Sequence, residues 1–562
     1  MTILRRGFAL LLFLLLFAPP ARGQTVPASV EPSRVQNQLA PVALPPPPAG
    51  PAAVASGPAA AAPDGADKIR LVLKKVIIED MTVYWSSQTE PLYDRLIGHE
   101  ITLADVFGIA AALTAKYRND GYILTQAIVP PQTIEGGVVR LKVVEGYVDK
   151  VKFEGAAPGS RAWLEEFGER IKATRPLTAK ALERYMLLLN DLPGMTARAV
   201  LAPAEAQGAS DLTIIVSQKP VSLFAETDNR GSRFIGPLQG VAGAQVNNAL
   251  GLHEGISVTA AVAPDGWPDR ELSYGAVSWQ QPLDHEGTRL TVSGSIGDTH
   301  PGFTLSPFDV VGIARAFTIQ LQHAFLRSRN MSFTGSAKFD YLDSNRSDNL
   351  GLPPTEDRLR VLRAGGTLQV ADSLGGADTA TAELSQGLNV FNASRPGDPN
   401  MTHPRANPQF FKATLEASRL QHLAGFWSLY TAASGQKASG QLLASEQFGV
   451  GGATYGSAYD ASEITGDDGI AARVELRADN AFRTPLPMLQ LYGFYDVGQV
   501  WDPGNSVAQD RIRSIASAGV GFRASLTDRI SAGFEAAKPL TRPVATENDK
   551  EMRYFGMLTF RY

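Results

Sequence analysis

The sequence predicts a chain of mixed class: two tandem β-α-α-β-β modules (α+β) followed by an all-β membrane domain, a transmembrane antiparallel β-barrel. Three observations carry this reading. An export signal opens the chain, a strand and helix order occurs twice between residues 69 and 219, and apolar and polar residues then alternate weakly up to an aromatic last residue, Tyr562.

The first 23 residues read as a signal peptide. Arg5 and Arg6 supply a positive start, Phe8 to Phe17 is an apolar run, and Ala21-Arg22-Gly23 places small residues where a signal peptidase reads, so cleavage is expected before Gln24. Residues 24–68 are dominated by Pro and Ala, including Pro45 to Pro48, and read as a linker with a short plug-like helix around Pro32 to Leu39.

Residues 69–148 form the first module. Leu71, Leu73 and Val76-Ile77-Ile78 mark its opening strand; Thr102 caps a helix whose Val106, Ile109, Ala110, Leu113 and Tyr117 share one face. Asn119-Asp120-Gly121 ends that helix, and strands are expected over Tyr122 to Val129 and Val138 to Val144. Residues 149–219 repeat the order, with a helix from Ser160 and another capped by Thr178 that aligns Leu182, Tyr185, Met186 and Leu189.

From 220 to 562 the helical signal is gone. Leu290, Val292, Gly294 and Ile296 alternate with Thr and Ser, and Tyr554, Gly556, Leu558, Phe560 and Tyr562 share one parity. Lipid cannot hydrogen-bond an open sheet edge, so such a domain has to close.

Composition narrows the function. A net charge of -4 argues against nucleic acid as partner. The chain has no Cys, which removes disulfides, thiolate metal sites and cysteine nucleophiles. Seven His occur without an H-E-x-x-H arrangement, and neither G-x-x-x-x-G-K-[ST] nor G-x-S-x-G is present, so no catalytic, cofactor-binding or metal-ligating residue is assigned and no enzyme is expected.

Several motifs carry a resemblance. Tyr117 to Leu124 (Y-R-N-D-G-Y-I-L), Val129-Pro130-Pro131-Gln132 and Val143-Val144-Glu145-Gly146 resemble the polypeptide-transport-associated (POTRA) domain of two-partner secretion transporters, the TpsB family of haemagglutinin and haemolysin exporters. Ser445-Glu446-Gln447-Phe448, Gly451-Gly452, the Gly466-Asp467-Asp468-Gly469 turn and Phe494-Tyr495-Asp496-Val497-Gly498 extend it into the barrel. The resemblance implies sixteen strands, an outer-membrane location with periplasmic POTRA domains, and a long extracellular loop folded back into the lumen. It also implies ATP-independent passage of a large unfolded exoprotein, an adhesin or haemolysin, with no nucleic acid involved. Outer-membrane lipid, the barrel assembly machinery during biogenesis and a monomeric state belong to the same expectation. The alternative is an assembly or insertion factor for other barrels.

In such transporters the loop carries V-R-G-Y or V-R-G-F, whose Arg pairs with the Asp of the F-x-D-x-G strand. Here that Asp is Asp496, while the tip reads Gly456-Ser457-Ala458-Tyr459, so Ser457 stands where the Arg is expected and Tyr459 keeps the aromatic. A buried carboxylate needs a partner. Parity turns Arg473, Arg477 and Arg523 inward, and one of them is expected to hold Asp496. In the first module, Tyr122, Ile123, Leu124 and Gln126 are candidates for lining a groove that docks an extended passenger, with core packing as the bland alternative.

Overall fold

The computed structural model describes residues 30–34, 62–156, 159–263, 270–349, 353–482, 484–504 and 511–562. The expected signal peptide and most of the Pro/Ala-rich segment lie outside these residues.

The two modules share one topology. In the first, the strand Lys75–Glu79 runs parallel to Val138–Val144, which pairs antiparallel with Gln126–Ile128. In the second, Tyr147–Glu154 runs parallel to Ala209–Gln218, which pairs antiparallel with Met195–Pro203. The capping threonines act equivalently: Thr102 accepts from Asp105 N and Thr178 from Ala181 N, each at 3.2 Å. Asp105 completes a capping box, and the hydrogen bonds it receives from Thr102 hold its carboxyl below the usual carboxylate range.

The helix Leu103–Asn119 buries Val106, Ile109, Ala110, Leu113 and Tyr117, the face that its 3.6-residue spacing marks out. In Ala179–Asn190, Leu182 and Leu189 are buried, while Tyr185 and Met186 pack at the core margin. Two elements differ from the sequence reading. The opening strand read over Leu71 to Ile78 is split in two: Arg70–Val72 pairs with Glu100–Thr102 in a sheet of its own, and Lys75–Glu79 enters the three-stranded sheet. The strand expected over Tyr122 to Val129 shrinks to Gln126–Ile128, because Gly121 at φ 95° and the bond from Tyr122 N to Tyr117 O (2.9 Å) bend the chain into a turn.

Sixteen antiparallel strands close the barrel, from Val221–Asp228 to Arg553–Arg561, which pair with each other. Side chains follow the two-residue period: Tyr495 and Val497 are exposed on the outer wall and Asp496 between them is fully buried. Tyr554, Leu558, Phe560 and Tyr562 face outward together. Among the described residues no helix is long and apolar enough to cross a membrane.

The second module is fastened under the barrel. Trp163 stacks against His253 and His285 at centroid distances of 5.0 and 4.5 Å. Glu286, on the turn after the strand Leu272–Pro282, accepts from Arg170 (3.1 Å), Arg184 (3.2 Å) and Tyr185 (3.0 Å). Arg327 grips Asp191 with two bonds of 2.8 and 2.7 Å, the forked geometry that favours Arg at such joints. These contacts mark the module-bearing mouth of the lumen.

Residues 30–34 lie inside the barrel. Val30 packs with Phe234, Ile235 and Leu305, Glu31 pairs with Arg346, and Arg34 donates to the carbonyls of Ala444 and Gln447. Pro32 to Arg34 form one helical turn.

Candidate functional site

The connection between the strands Trp427–Ala438 and Asp468–Asp479 turns back into the lumen. Phe448–Val450 and Ile464–Gly466 pair as a small hairpin, and the tip between them reaches the inner wall. Gly451 permits this reversal: its φ is 126°, and a Cβ there would lie 2.1 Å from Asp460 O. The Gly466-Asp467-Asp468-Gly469 run is no free turn, since Gly466 ends the hairpin and Asp468 begins the next barrel strand.

At the tip, Ser457 meets Asp496. The Ser457 backbone N–H donates to Asp496 Oδ2 at 3.2 Å and its hydroxyl donates to the same oxygen at 2.9 Å; the Ser517 hydroxyl donates to Oδ1. Arg473 donates from Nη1 to Ser457 Oγ (2.5 Å) and to Asp496 Oδ2 (3.3 Å), with its guanidinium 4.1 Å from the Phe494 ring centroid. A wall arginine thus supplies the charge that the resemblance placed on the loop. Ser457 bridges it to the carboxylate.

Arg477 and Arg523 do not reach Asp496. Both bind Glu475 at 2.7 Å, because Arg477 is four residues farther along its strand than Arg473, and Arg523 pairs in register with Gln490, six residues from Asp496. Glu475 also receives Arg473 (2.9 Å), so one carboxylate organises three guanidiniums. Glu535 adds Arg230 (2.8 Å) and the Tyr492 hydroxyl (2.9 Å). Sequence reasoning singled out the arginines and passed over Glu475, although Arg473, Glu475 and Arg477 share one parity and read as a cation-anion-cation row.

Tyr459 is buried against Ile515, Val544 and Phe555, and its hydroxyl donates to Arg542 O at 3.1 Å. Asp460 pairs with Arg553 at 2.8 Å. The tip is therefore held on several strands at once.

A second ionic centre secures the base of the loop. Glu446 takes a forked contact from Arg363 (2.6 and 3.2 Å) and one from Lys412 Nζ (2.7 Å). The carbonyls on either side, Ala444 and Gln447, are the ones that Arg34 caps, so the N-terminal segment and the loop share this anchor. Glu446 lies in the Ser445 to Phe448 motif, which was the available signal.

The family model for the haemolysin secretion/activation protein ShlB/FhaC/HecB matches residues 208–524, more than half of the chain, and the model for the ShlB-type POTRA domain matches residues 71–146. The chain belongs to the ShlB/FhaC/HecB family. The heme/hemopexin transporter protein HuxB of Haemophilus influenzae strain 86-028NP is 23% identical over 478 residues, covering 82% of each chain. The outer membrane transporter CdiB of Escherichia coli is 22% identical over 424 residues, covering 72% of this chain and 68% of its own. Among solved structures, CdiB from Escherichia coli superimposes with a TM-score of 0.73 at 19% identity, over 90% of this chain and 94% of the other. BamA from Haemophilus ducreyi, lacking POTRA domains 1–3, gives 0.52 at 14% identity, over 88% of this chain and all of its own. The two structural likenesses speak to fold alone.

As a member of this family the protein is an outer-membrane transporter of the two-partner secretion type, with its POTRA domains in the periplasm. Its relatives are transporters rather than enzymes. The POTRA candidates for docking separate in space. Ile123 and Leu124 pack against the core of the second module, where Ala179 N donates to Gly121 O (2.8 Å) and Leu177 N to Gly146 O (2.8 Å). They join the modules and do not line an open groove. Tyr122 stacks edge-on with Tyr84 and Tyr117, and Gln126 sits on the short edge strand Gln126–Ile128. Glu145 pins the segment before Trp85, accepting from Thr82 N (2.8 Å), Val83 N (3.1 Å) and the Tyr117 hydroxyl (2.8 Å).

Proposed function

We propose that the protein exports one large exoprotein, an adhesin or haemolysin, received unfolded in the periplasm and passed through the barrel without ATP. Folding outside supplies the direction. The observation that carries this reading is the junction of a free strand edge with a polar lumen. Among the described residues, Met195–Pro203 pairs on one side with Ala209–Gln218 and has no strand on the other. An open edge offers backbone donors and acceptors to any extended chain.

The Asn190 amide closes this edge at Ala197, accepting from its N–H (2.9 Å) and donating to its C=O (3.1 Å), so the edge opens beyond it, where Val200 is half exposed. The strand starts beside Gly194, whose carbonyl accepts from Lys219 N (2.9 Å). Lys219, Ser222, Gln245, Ser257 and Thr259, together with apolar Phe224 and Ala244, line an open cavity of about 1020 Å³ at that mouth of the barrel. In this reading Asp496, Ser457, Tyr459 and Arg473 hold the loop across the conduit, and Glu475, Arg477 and Arg523 stiffen the wall behind it. Gln126 and Tyr122 are left as contact positions in the first module. Lipid and, during biogenesis, the barrel assembly machinery are the remaining partners, and the working unit is a monomer.

Deleting the protein is expected to strand its exoprotein in the periplasm while other outer-membrane barrels assemble at normal levels, measured by fractionation. A general loss of barrels would instead support the insertion-factor reading, which the fold likeness to BamA keeps as the second one.

A further inference from the structure

We infer that the extracellular segment 388–410 is a lid that closes the outer mouth of the lumen and is fastened to the base of the folded-back loop. The inference rests on the reading of the barrel as a polypeptide conduit. Lumen-facing positions of membrane barrels are polar as a rule, yet Leu359 and Val361 point inward on the strand Thr355–Ala371 and are buried. What covers them comes from two extracellular connections: Met401 and Phe410 from the segment, Leu442 and Leu443 from the approach to the loop. An apolar contact of this kind excludes water without a covalent tie, and it can open when a passenger offers competing apolar contacts.

The segment is hydrogen-bonded along the edge of that strand, with Leu388 N donating to Arg360 O (2.8 Å), Ser394 N to Arg358 O (2.8 Å) and Glu356 N to Asn400 O (2.6 Å), and it is tied to the loop base through a smaller set of bonds. Thr402 donates from its backbone to Asp357 Oδ1 (2.9 Å) and from its hydroxyl to Oδ2 (2.5 Å), and its hydroxyl oxygen accepts from Ala444 N (3.3 Å). Asn407 N donates to Gln441 O at 2.9 Å. At the other end, where the chain leaves the wall, Phe391 and Asn392 take φ values of 49° and 59° in succession, a conformation L-residues with side chains rarely adopt. The buried Arg360 guanidinium donates to Phe391 O (3.1 Å) and holds that reversal. Because Ala444 also receives Arg34 through its carbonyl, the lid, the loop base and the N-terminal segment meet at one turn. Raising the lid therefore pulls on the same turn that retains the N-terminal segment.

The chain has no native Cys, so a pair can be introduced without background. The backbone bond between residues 407 and 441 brings Asn407→Cys and Gln441→Cys within the span of a disulfide. Oxidation of the purified full-length pair is expected to form the cross-link. In planar bilayers it should suppress channel openings at least tenfold, and in cells it should stop export, with reductant restoring both. In the opposite direction, Asp357→Asn with Thr402→Val is expected to raise mean conductance severalfold in protein that keeps its heat-modifiable barrel. Failure of the cross-link to form, a cross-linked channel that opens and exports normally, or an unchanged conductance in the Asp357/Thr402 variant would overturn the lid. The bilayer readings use no passenger, so the lid can fail while the export reading stands, and the deletion phenotype can fail while the lid stands.

Discussion

Arg473→Ala is expected to release the loop tip and to cost the barrel about 3–5 kcal/mol, the usual loss when one partner of a buried ion pair is removed. Arg473 is nearly inaccessible and faces Asp496, Glu475 and Glu535 together. Its loss leaves Asp496 with hydroxyl and backbone donors only, which are individually weaker than charge-assisted ones. Denaturant unfolding in micelles should show the lower midpoint, and bilayer recording should show frequent openings. Arg473→Lys keeps a charge but not the fork, so partial rescue is expected. Ser457→Arg alone should also destabilise, since it brings a second guanidinium against the first. The exchange Ser457→Arg with Arg473→Ser should recover most of the loss by moving the charge back to the loop. A single variant as stable and as closed as the parent would remove Arg473 from the account.

Glu446→Ala is expected to have an effect of similar size at the other end of the loop. It leaves Arg363 and Lys412 facing each other in a buried site without their shared carboxylate. Like charges held this close repel, and although Arg363 keeps Asp340 (2.6 Å), Lys412 is left without a carboxylate in ion-pair contact among the described residues. The expected outcome is a loss of about 3–5 kcal/mol together with a large rise in conductance, because the turn that holds Arg34 is released as well. Restoring Glu446 by Asp is expected to recover little, since the shorter side chain cannot span the same fork. Unchanged conductance in Glu446→Ala would show that the base does not retain the loop.

How much of this could be read from the residues differs between parts. The shared parity of Leu489, Leu491, Gly493, Tyr495 and Val497 is enough to turn Asp496 inward, because a two-residue period leaves no other choice once the strand is identified. It could not choose among Arg473, Arg477 and Arg523. Parity gives the face of a strand but not its height, and only the register between Asp468–Asp479 and Met488–Trp501 sets Arg473 opposite Asp496. Thr102 and Thr178 were legible as caps because capping is local. Ile123 and Leu124 looked like strand residues by their side chains, but Gly121 and the contact with the second module overrode that preference.

The lid was hidden by composition. Segment 388–410 is rich in Asn and Pro, which read as solvated loop, and only packing reveals that Met401 and Phe410 sit on Leu359 and Val361. Residues 30–34 fall in the segment read as a linker with a short plug-like helix from Pro32, and they are buried against the lumen wall.

The central claim is that a passenger leaves the free edge of the second module and crosses through the lumen. A photo-activated cross-linking residue placed at Val200, at Thr259 or at Val258 tests it during export of a stalled exoprotein. Thr259 lines the lumen cavity, whereas its neighbour Val258 faces outward. Adducts with the exoprotein are expected from Val200 and Thr259 and not from Val258. Export that proceeds with adducts at none of these positions, or at Val258 in place of Thr259, would contradict passage through the barrel.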